Sequence, residues 1–108
     1  MTLTLDHISL CVTKDAPEAD ILQKNGLFLA PDRETHAGQG TASVFFYFRD
    51  FYLELIWVDN PAELESADFA FSQRFSATDN ASPFGIGLSR LDSATGQLPF
   101  ETTPYHAE

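Results

Sequence analysis

The sequence predicts an α+β fold in which a β-α-β-β-β unit forms a cupped mixed sheet with helices on its outer face. Three features predict it: an opening segment whose polar and apolar residues alternate, a segment with helix start and stop signals, and two aromatic-rich segments separated by two residues. The first unit would span residues 1–58. A helical linker at 59–82 and the start of an incomplete second unit at 83–108 would complete a single domain.

Composition restricts the class of protein. The chain has 108 residues, the length of one domain, and 44% of them are hydrophobic, which is enough for a packed core. A net charge of −10 repels nucleic acid phosphates and anionic membranes, so we expect neither as a partner. Cys11 is the single cysteine, which fits a reducing compartment. Since we also find no signal-peptide pattern and no apolar stretch of membrane-spanning length, we expect a cytoplasmic protein.

The opening strand and the helix after it can be placed from local signals. Residues 3–13 predict a strand whose faces alternate with period two, with His7, Ser9 and Cys11 opposite Ile8, Leu10 and Val12. Asp15 with Glu18 three residues later resembles a capping box, which predicts a helix over residues 15–25. Gly26 suits the left-handed conformation that ends a helix.

The strongest predicted strands are residues 41–48 and 51–58, and Arg49 and Asp50 predict a two-residue turn between them. This turn would pair Phe48 with Phe51, Tyr47 with Tyr52, and Phe45 with Glu54. One face, here called the apolar face, would carry Phe46, Phe48, Phe51, Leu53, Leu55 and Trp57. The other, here called the mixed face, would carry Ser43, Phe45, Tyr47, Tyr52, Glu54 and Ile56. The apolar face should pack against helices, and the mixed face should meet water or a ligand.

The remaining segments are less regular. Residues 27–30 predict a short apolar strand, and residues 31–40 predict a loop. Asn60 before Pro61 predicts a capped helix start. Residues 83–91 predict a further strand, in which Phe84, Ile86 and Leu88 alternate with Gly85, Gly87 and Ser89.

Too few residues follow this strand for a whole second unit, so either the chain is a fragment of a longer protein or the extra strand completes a partner's sheet. Because an exposed sheet edge invites pairing, we expect a homodimer.

His7 and Glu54 are the candidate metal ligands, and Glu54 is also the candidate catalytic residue. Both should lie on the mixed side of the sheet, where an imidazole and a carboxylate could hold one divalent ion such as Zn, Fe, Mn or Ni. A hydrogen-bonded His–Glu pair with only a structural role explains the same pattern, and the residues leave both readings open. Candidate ligand-binding residues on the same side, or at its rim, are Ser9, Phe45, Tyr47, Tyr52 and His36.

The segment Leu5-Asp6-His7-Ile8-Ser9-Leu10-Cys11-Val12 resembles the opening strand of the vicinal-oxygen-chelate superfamily. Residues 36–41 and Tyr52-Leu-Glu-Leu-Ile56 are similar to its glyoxalase-like domain branch. The resemblance covers residues 3–58 and 83–91. It implies that one unit supplies a metal-binding His from its first strand and a Glu from its last, which His7 and Glu54 match. Gly85 departs from the pattern, because it stands where the second unit would supply another His.

Two classes of function follow from this resemblance. The first is a metal-dependent isomerase, lyase, epimerase or dioxygenase whose small substrate carries adjacent oxygens, with the metal polarising a carbonyl or stabilising an enolate. The alternative is a metal-free protein that binds or sequesters a small molecule between aromatic walls, as bleomycin-resistance proteins do. The His7 and Glu54 matches favour the first class, and Gly85 favours the second.

Overall fold

The computed structural model describes residues 3–66, 74–75, 81–91, 98 and 100–102. Much of the predicted linker after Ser66 and most of the segment after Leu91 lie outside the described residues. The elements in chain order are β1 (Leu3–Cys11), α1 (Glu18–Lys24), β2 (Glu34–His36), β3 (Thr41–Tyr47), β4 (Tyr52–Val58), α2 (Pro61–Ser66) and β5 (Phe84–Arg90). Neither of these helices is long and apolar enough to cross a bilayer.

The strands form one open sheet in the order β2-β3-β4-β1-β5. Strand β1 runs parallel to β4, and the other neighbours are antiparallel, so the sheet is mixed and the α+β class is confirmed. Strands β1 and β4 lie inside the sheet, and side chains on their mixed side meet neighbours from both directions. The first strand of the chain therefore brings its polar residues beside those of the hairpin.

The hairpin has the predicted register. Tyr47 pairs with Tyr52 and Phe45 pairs with Glu54. At the turn, the Phe48 amide donates to the Phe51 carbonyl at 2.9 Å, and the two rings stack with centroids 4.8 Å apart. This stacked pair brackets a turn that contains no glycine.

The core lies between the apolar face and α1. Phe46 and Leu55 are fully buried, and Trp57 is 1% exposed. Ala16 and Ala19 pack against them from the helix side. The small side chains of Ala19 on α1 and of Ala16 before it let the helix approach the sheet closely, so Phe46, Leu55 and Trp57 are covered as predicted, whereas Phe48 at the turn is 40% exposed.

The start of α1 differs from the prediction. The helix begins at Glu18 after Pro17, with no side-chain cap. Asp15 and Ala16 adopt positive φ angles of 63° and 49°, which are incompatible with a helical turn, so the capping-box expectation was wrong. The Glu18 carboxylate instead accepts hydrogen bonds from the Thr13 amide at 3.2 Å and the Thr13 hydroxyl at 3.0 Å. At the other end Gly26 has the predicted left-handed conformation, with φ 94°.

The strand predicted at residues 27–30 is also wrong. Only an isolated bridge joins Leu29 to Phe46 there, while strand β2 forms at Glu34–His36, inside the predicted loop. Pro31 explains the interruption, because its nitrogen has no hydrogen to donate to a ladder. Residues 31–33 therefore leave the sheet edge, and the chain rejoins β3 at Glu34.

The start of α2 follows the prediction. The Asn60 side chain accepts from the Glu63 amide at 3.3 Å and donates to the Glu63 carboxylate at 3.0 Å. The Gly40 carbonyl accepts from the amides of Asp59 and Asn60. A Cβ at Gly40 would collide with the backbone of Asn60 and Leu64, so this junction requires glycine. The loop that carries His36 is thereby fixed against α2.

Strand β5 pairs with β1 of its own chain. The extra strand therefore extends this sheet as its fifth strand. Three large apolar side chains of β5 are nevertheless exposed: Phe84 by 57%, Ile86 by 71% and Leu88 by 50%. An edge strand with apolar exposure of this kind is a surface for association.

We expect the chain to associate through β5, and Ile86→Lys to convert the assembly to monomers because it places a charge in the contact. The folded monomer should lose no more than about 0.5 kcal/mol, since Ile86 is on the surface. Light scattering coupled to size exclusion measures association, and urea unfolding measures the stability of the monomer. The control Ile21→Lys changes an isoleucine of α1 that is 61% exposed and should leave association intact. A wild-type chain that stays monomeric at the highest concentration it tolerates would contradict the expectation.

Candidate functional site

The centre of the mixed face is the carboxylate of Glu54, which is 9% exposed. The Ser9 hydroxyl on β1 donates to Glu54 Oε1 at 3.0 Å. The Ser43 hydroxyl on β3 donates to Glu54 Oε2 at 2.6 Å. Each carboxylate oxygen thus accepts from a neighbouring strand, which offsets the cost of burying its charge.

The imidazole beside Glu54 is that of His36. Its Nε2 lies 2.9 Å from Ser43 Oγ and 3.4 Å from Glu54 Oε2. Because Ser43 gives its only hydroxyl proton to Glu54, Nε2 of His36 must donate to Ser43 Oγ. Ser9, His36, Ser43 and Glu54 form a connected set that joins four elements, and we call it the Glu54 network.

The Glu54 network favours the protonated, positively charged form of His36 and the ionised form of Glu54. The adjacent Glu54 carboxylate raises the pKa of His36, against the opposing effect of burial. Burial alone would raise the pKa of Glu54, but the adjacent His36 and the hydrogen bonds from Ser43 and Ser9 outweigh it and lower that pKa. His36 therefore stabilises the fold below its ordinary pKa of 6.5, and this contribution is lost as pH rises through its folded value. Glu54 stabilises the fold at pH values above its ordinary pKa of 4.5, and this contribution is lost as pH falls through its lowered folded value.

His7 has different partners. Its ring stacks on Tyr52 with centroids 4.8 Å apart and an angle of 9°. Its Nδ1 is 2.9 Å from Asp6 Oδ2, and Asp6 Oδ1 accepts from Ser89 at 3.1 Å. The hydrogen bonds from His7 and Ser89 lower the pKa of Asp6. The structure thus places His7 with Asp6 and Tyr52, and it places His36 with Glu54.

The position of His7 depends on a glycine and on an irregularity of β1. A Cβ at Gly87, which pairs with His7, would collide with the imidazole ring. The pairing of β1 with β5 shifts between Leu5 and His7. This shift lets Asp6 reach the same side as His7, although strict alternation would place the two side chains on opposite sides. Alternation in the sequence therefore could not identify Asp6.

The predicted ligand-binding aromatics form one cluster. The Tyr52 ring lies 5.7 Å from the rings of both Phe45 and Tyr47, and Phe45 and Tyr47 stack at 6.3 Å. Phe45 and Tyr47 also line a cavity of about 370 Å³ with residues 30–34. Small-molecule sites commonly have this size and aromatic lining.

The residues present do not fit the expected metal centre. In the part of the chain that the structure describes, no three His, Cys, Asp or Glu side chains are grouped to hold an ion. His7 and Glu54 have separate partners, as given above. At Gly85, a Cβ would lie 3.2 Å from Nη1 of Arg74, whose guanidinium donates to the Phe84 carbonyl at 3.0 Å. A positive charge beside this position disfavours a second cation there.

Cys11 on the same side is not an activated thiol. Burial raises its pKa to about 11, with Arg74 acting in the opposite direction. The thiolate is the reactive form of cysteine, and a thiol with this pKa remains protonated at neutral pH. We therefore assign Cys11 no part in the candidate site.

Two features define the class of domain. The elements follow the order β-α-β-β-β, and one face of the sheet, the mixed face, has a buried carboxylate at its centre. A sequence profile of the family described as glyoxalase-like domain matches residues 5–99, so the chain belongs to this family. The match confirms the resemblance found in the sequence and is consistent with the vicinal-oxygen-chelate superfamily.

Two solved structures are similar to part of the chain. A hypothetical protein from Staphylococcus aureus is 25% identical with a TM-score of 0.48, over 60% of this chain and 25% of that chain. A hypothetical protein from Bacillus halodurans C-125 is 25% identical with a TM-score of 0.44, over 56% of this chain and 46% of that chain. The chain thus spans less than half of either solved protein. No curated protein matches it.

We predict that Glu54→Gln lowers the pKa of His36, because the carboxylate is the main cause of its elevation. The wild-type pKa should lie above 6.5, and NMR titration of the imidazole nitrogens measures both values. Asp6→Asn is the matched control, since Asp6 contacts His7, and it should leave the His36 titration unchanged. An identical His36 titration in wild type and Glu54→Gln would show that the pair does not interact.

Proposed function

We propose that the chain is a small-molecule-binding domain that needs no metal ion, with its ligand lying against the aromatic cluster of the mixed face. The observation that carries this proposal is the cavity of about 370 Å³ beside Phe45 and Tyr47. Tyr47 is 58% exposed, so its ring is accessible to a ligand. Aromatic side chains supply a large contact area with a defined orientation.

In this proposal the Glu54 network is a rigid floor beneath the binding surface. Glu54 is the cross-strand partner of Phe45, so it fixes the strand that carries the cavity wall. Its two oxygens already accept from Ser9 and Ser43, and His36 balances its charge. A general base works best with a pKa near the working pH, whereas the pKa of Glu54 is lowered. These contacts favour binding over proton abstraction by Glu54.

The metal-dependent enzyme is the competing class. The match of His7 and Glu54 to the family pattern supports it. The hydrogen bonds that both carboxylate oxygens of Glu54 accept from serines speak for the metal-free class, whereas the contact of His7 Nδ1 with Asp6 is compatible with either class, since Nε2 could still bind an ion. Arg74 beside Gly85 adds a repulsive charge.

The test is a screen of small aromatic molecules against the isotope-labelled chain by NMR, with EDTA present. We expect ligands that shift the signals of Phe45, Tyr47 and Tyr52 and that bind equally well without EDTA. Tyr47→Ala should weaken binding about fivefold, the equivalent of losing an aromatic contact of about 1 kcal/mol. Phe84→Ala removes an aromatic ring that is 57% exposed on β5, at the opposite edge of the sheet from β2, and this control should bind as wild type does.

Other results would refute the metal-free proposal. Binding that EDTA abolishes and added Zn restores would support the enzyme class, particularly if Glu54→Gln also loses the metal by elemental analysis. Binding that leaves the signals of the aromatic cluster unmoved would place the site elsewhere.

A further inference from the structure

The cavity beside Phe45 and Tyr47 arises from an irregularity of the sheet edge. The Ala30 amide donates to the Phe45 carbonyl, and Glu34 pairs with Ser43. Residues 31–33 therefore lie opposite the single residue Val44 and bulge away from β3. The space left between this bulge and β3 is the cavity. The charged side chains of its lining come from the bulge and from Glu34 after it.

The lining of the cavity is acidic. Asp32 and Glu34 both line it, and Glu34 lies on the mixed face because its strand partner is Ser43. The chain as a whole carries a charge of −10, so no excess of positive charge screens these two carboxylates. A cavity of this kind attracts cations and repels anions.

The one cationic side chain of the lining is already neutralised. Arg33 Nη1 lies 3.2 Å from Asp15 Oδ1, and Nη2 lies 3.0 Å from Asp59 Oδ1. The guanidinium also stacks over Trp57, with 4.8 Å to the ring centroid. Trp57 belongs to the apolar face, so the guanidinium is drawn away from the mixed face. Glu34 is partly balanced, because its Oε1 lies 3.9 Å from Nδ1 of His36, so Asp32 contributes most of the uncompensated negative charge of the lining.

The aromatic wall adds a second attraction for cations. Phe45 and Tyr47 are inclined by 21°, and the face of an aromatic ring carries negative potential. Burial, and after it the nearby charges of Asp6, Glu54 and Glu34, raise the pKa of the Tyr52 phenol in the same cluster. The part of that rise that the three carboxylates cause reflects negative potential on this side of the sheet.

We propose that this cavity binds a small organic cation, with an ammonium or amidinium group between the carboxylates of Asp32 and Glu34 and an apolar part against Phe45 and Tyr47. This inference rests on the proposed small-molecule function and names the class of its ligand. A metal ion fits this description less well, because it could bind the two carboxylates but has no apolar part to pack against Phe45 and Tyr47.

The test compares three probes of nearly identical shape by NMR titration of the full chain: benzamidine, benzamide and benzoate, which are cationic, neutral and anionic. We expect benzamidine to bind at least about fivefold more tightly than benzamide, with shifts at Phe45 and Tyr47, and benzoate not to bind. Asp32→Asn and Glu34→Gln should each reduce this preference, and both residues are exposed, so the fold should survive. The control Asp20→Asn removes an exposed carboxylate of α1 and should leave the preference unchanged.

The outcomes separate the two proposals. Equal binding of benzamidine and benzamide at Phe45 and Tyr47 would overturn the cation preference and leave the small-molecule function intact. Preferential binding of benzoate would also overturn the cation preference. If none of the three probes moves these signals while other aromatic molecules from the screen do, the cation class is wrong. If no molecule moves them, the binding function fails as well.

Discussion

Burial of a carboxylate in the middle of a sheet constrains everything around it. Glu54 interrupts an apolar strand, and its charge can remain there only if hydrogen-bond donors from other strands reach it. Ser9 reaches it from β1, and Ser43 and His36 reach it from β3 and β2. The same residue therefore links the first strand of the chain to the hairpin and to the edge strand. The apolar face is free to pack against α1 because the polar groups are gathered on the other face.

The binding surface follows from this division of the sheet. Phe45 pairs with Glu54 and is held in place by it, and Tyr47 continues the same row at the accessible end of β3. The edge beside these rings is interrupted at Pro31, which leaves a cavity rather than a closed ladder. A rigid centre and an irregular edge together place aromatic and acidic groups around one space.

The residues that share a face of each strand could be predicted from the sequence, because side chains alternate between the two faces with a period of two. This explains why the hairpin register and both of its faces were correctly predicted from Phe45 to Trp57. The partners within the mixed face could not be derived in the same way. His36 reaches Glu54 from a three-residue edge strand too short to give a pattern, and Asp6 reaches His7 through a bulge that breaks alternation. The positive φ angles of Asp15 and Ala16 are likewise set by tertiary packing, since nothing in the local sequence demands them.

The central claim is that Ser43 and Glu54 stabilise each other inside the sheet. A double-mutant cycle of Ser43→Ala and Glu54→Met, followed by urea unfolding at neutral pH, measures this directly. The account predicts a coupling energy of at least about 1 kcal/mol, because a charged hydrogen bond is lost in each single variant and an unpaired polar group is left behind. Single effects that add to within about 0.5 kcal/mol would contradict it, and the carboxylate would then be stabilised by something other than this hydrogen bond.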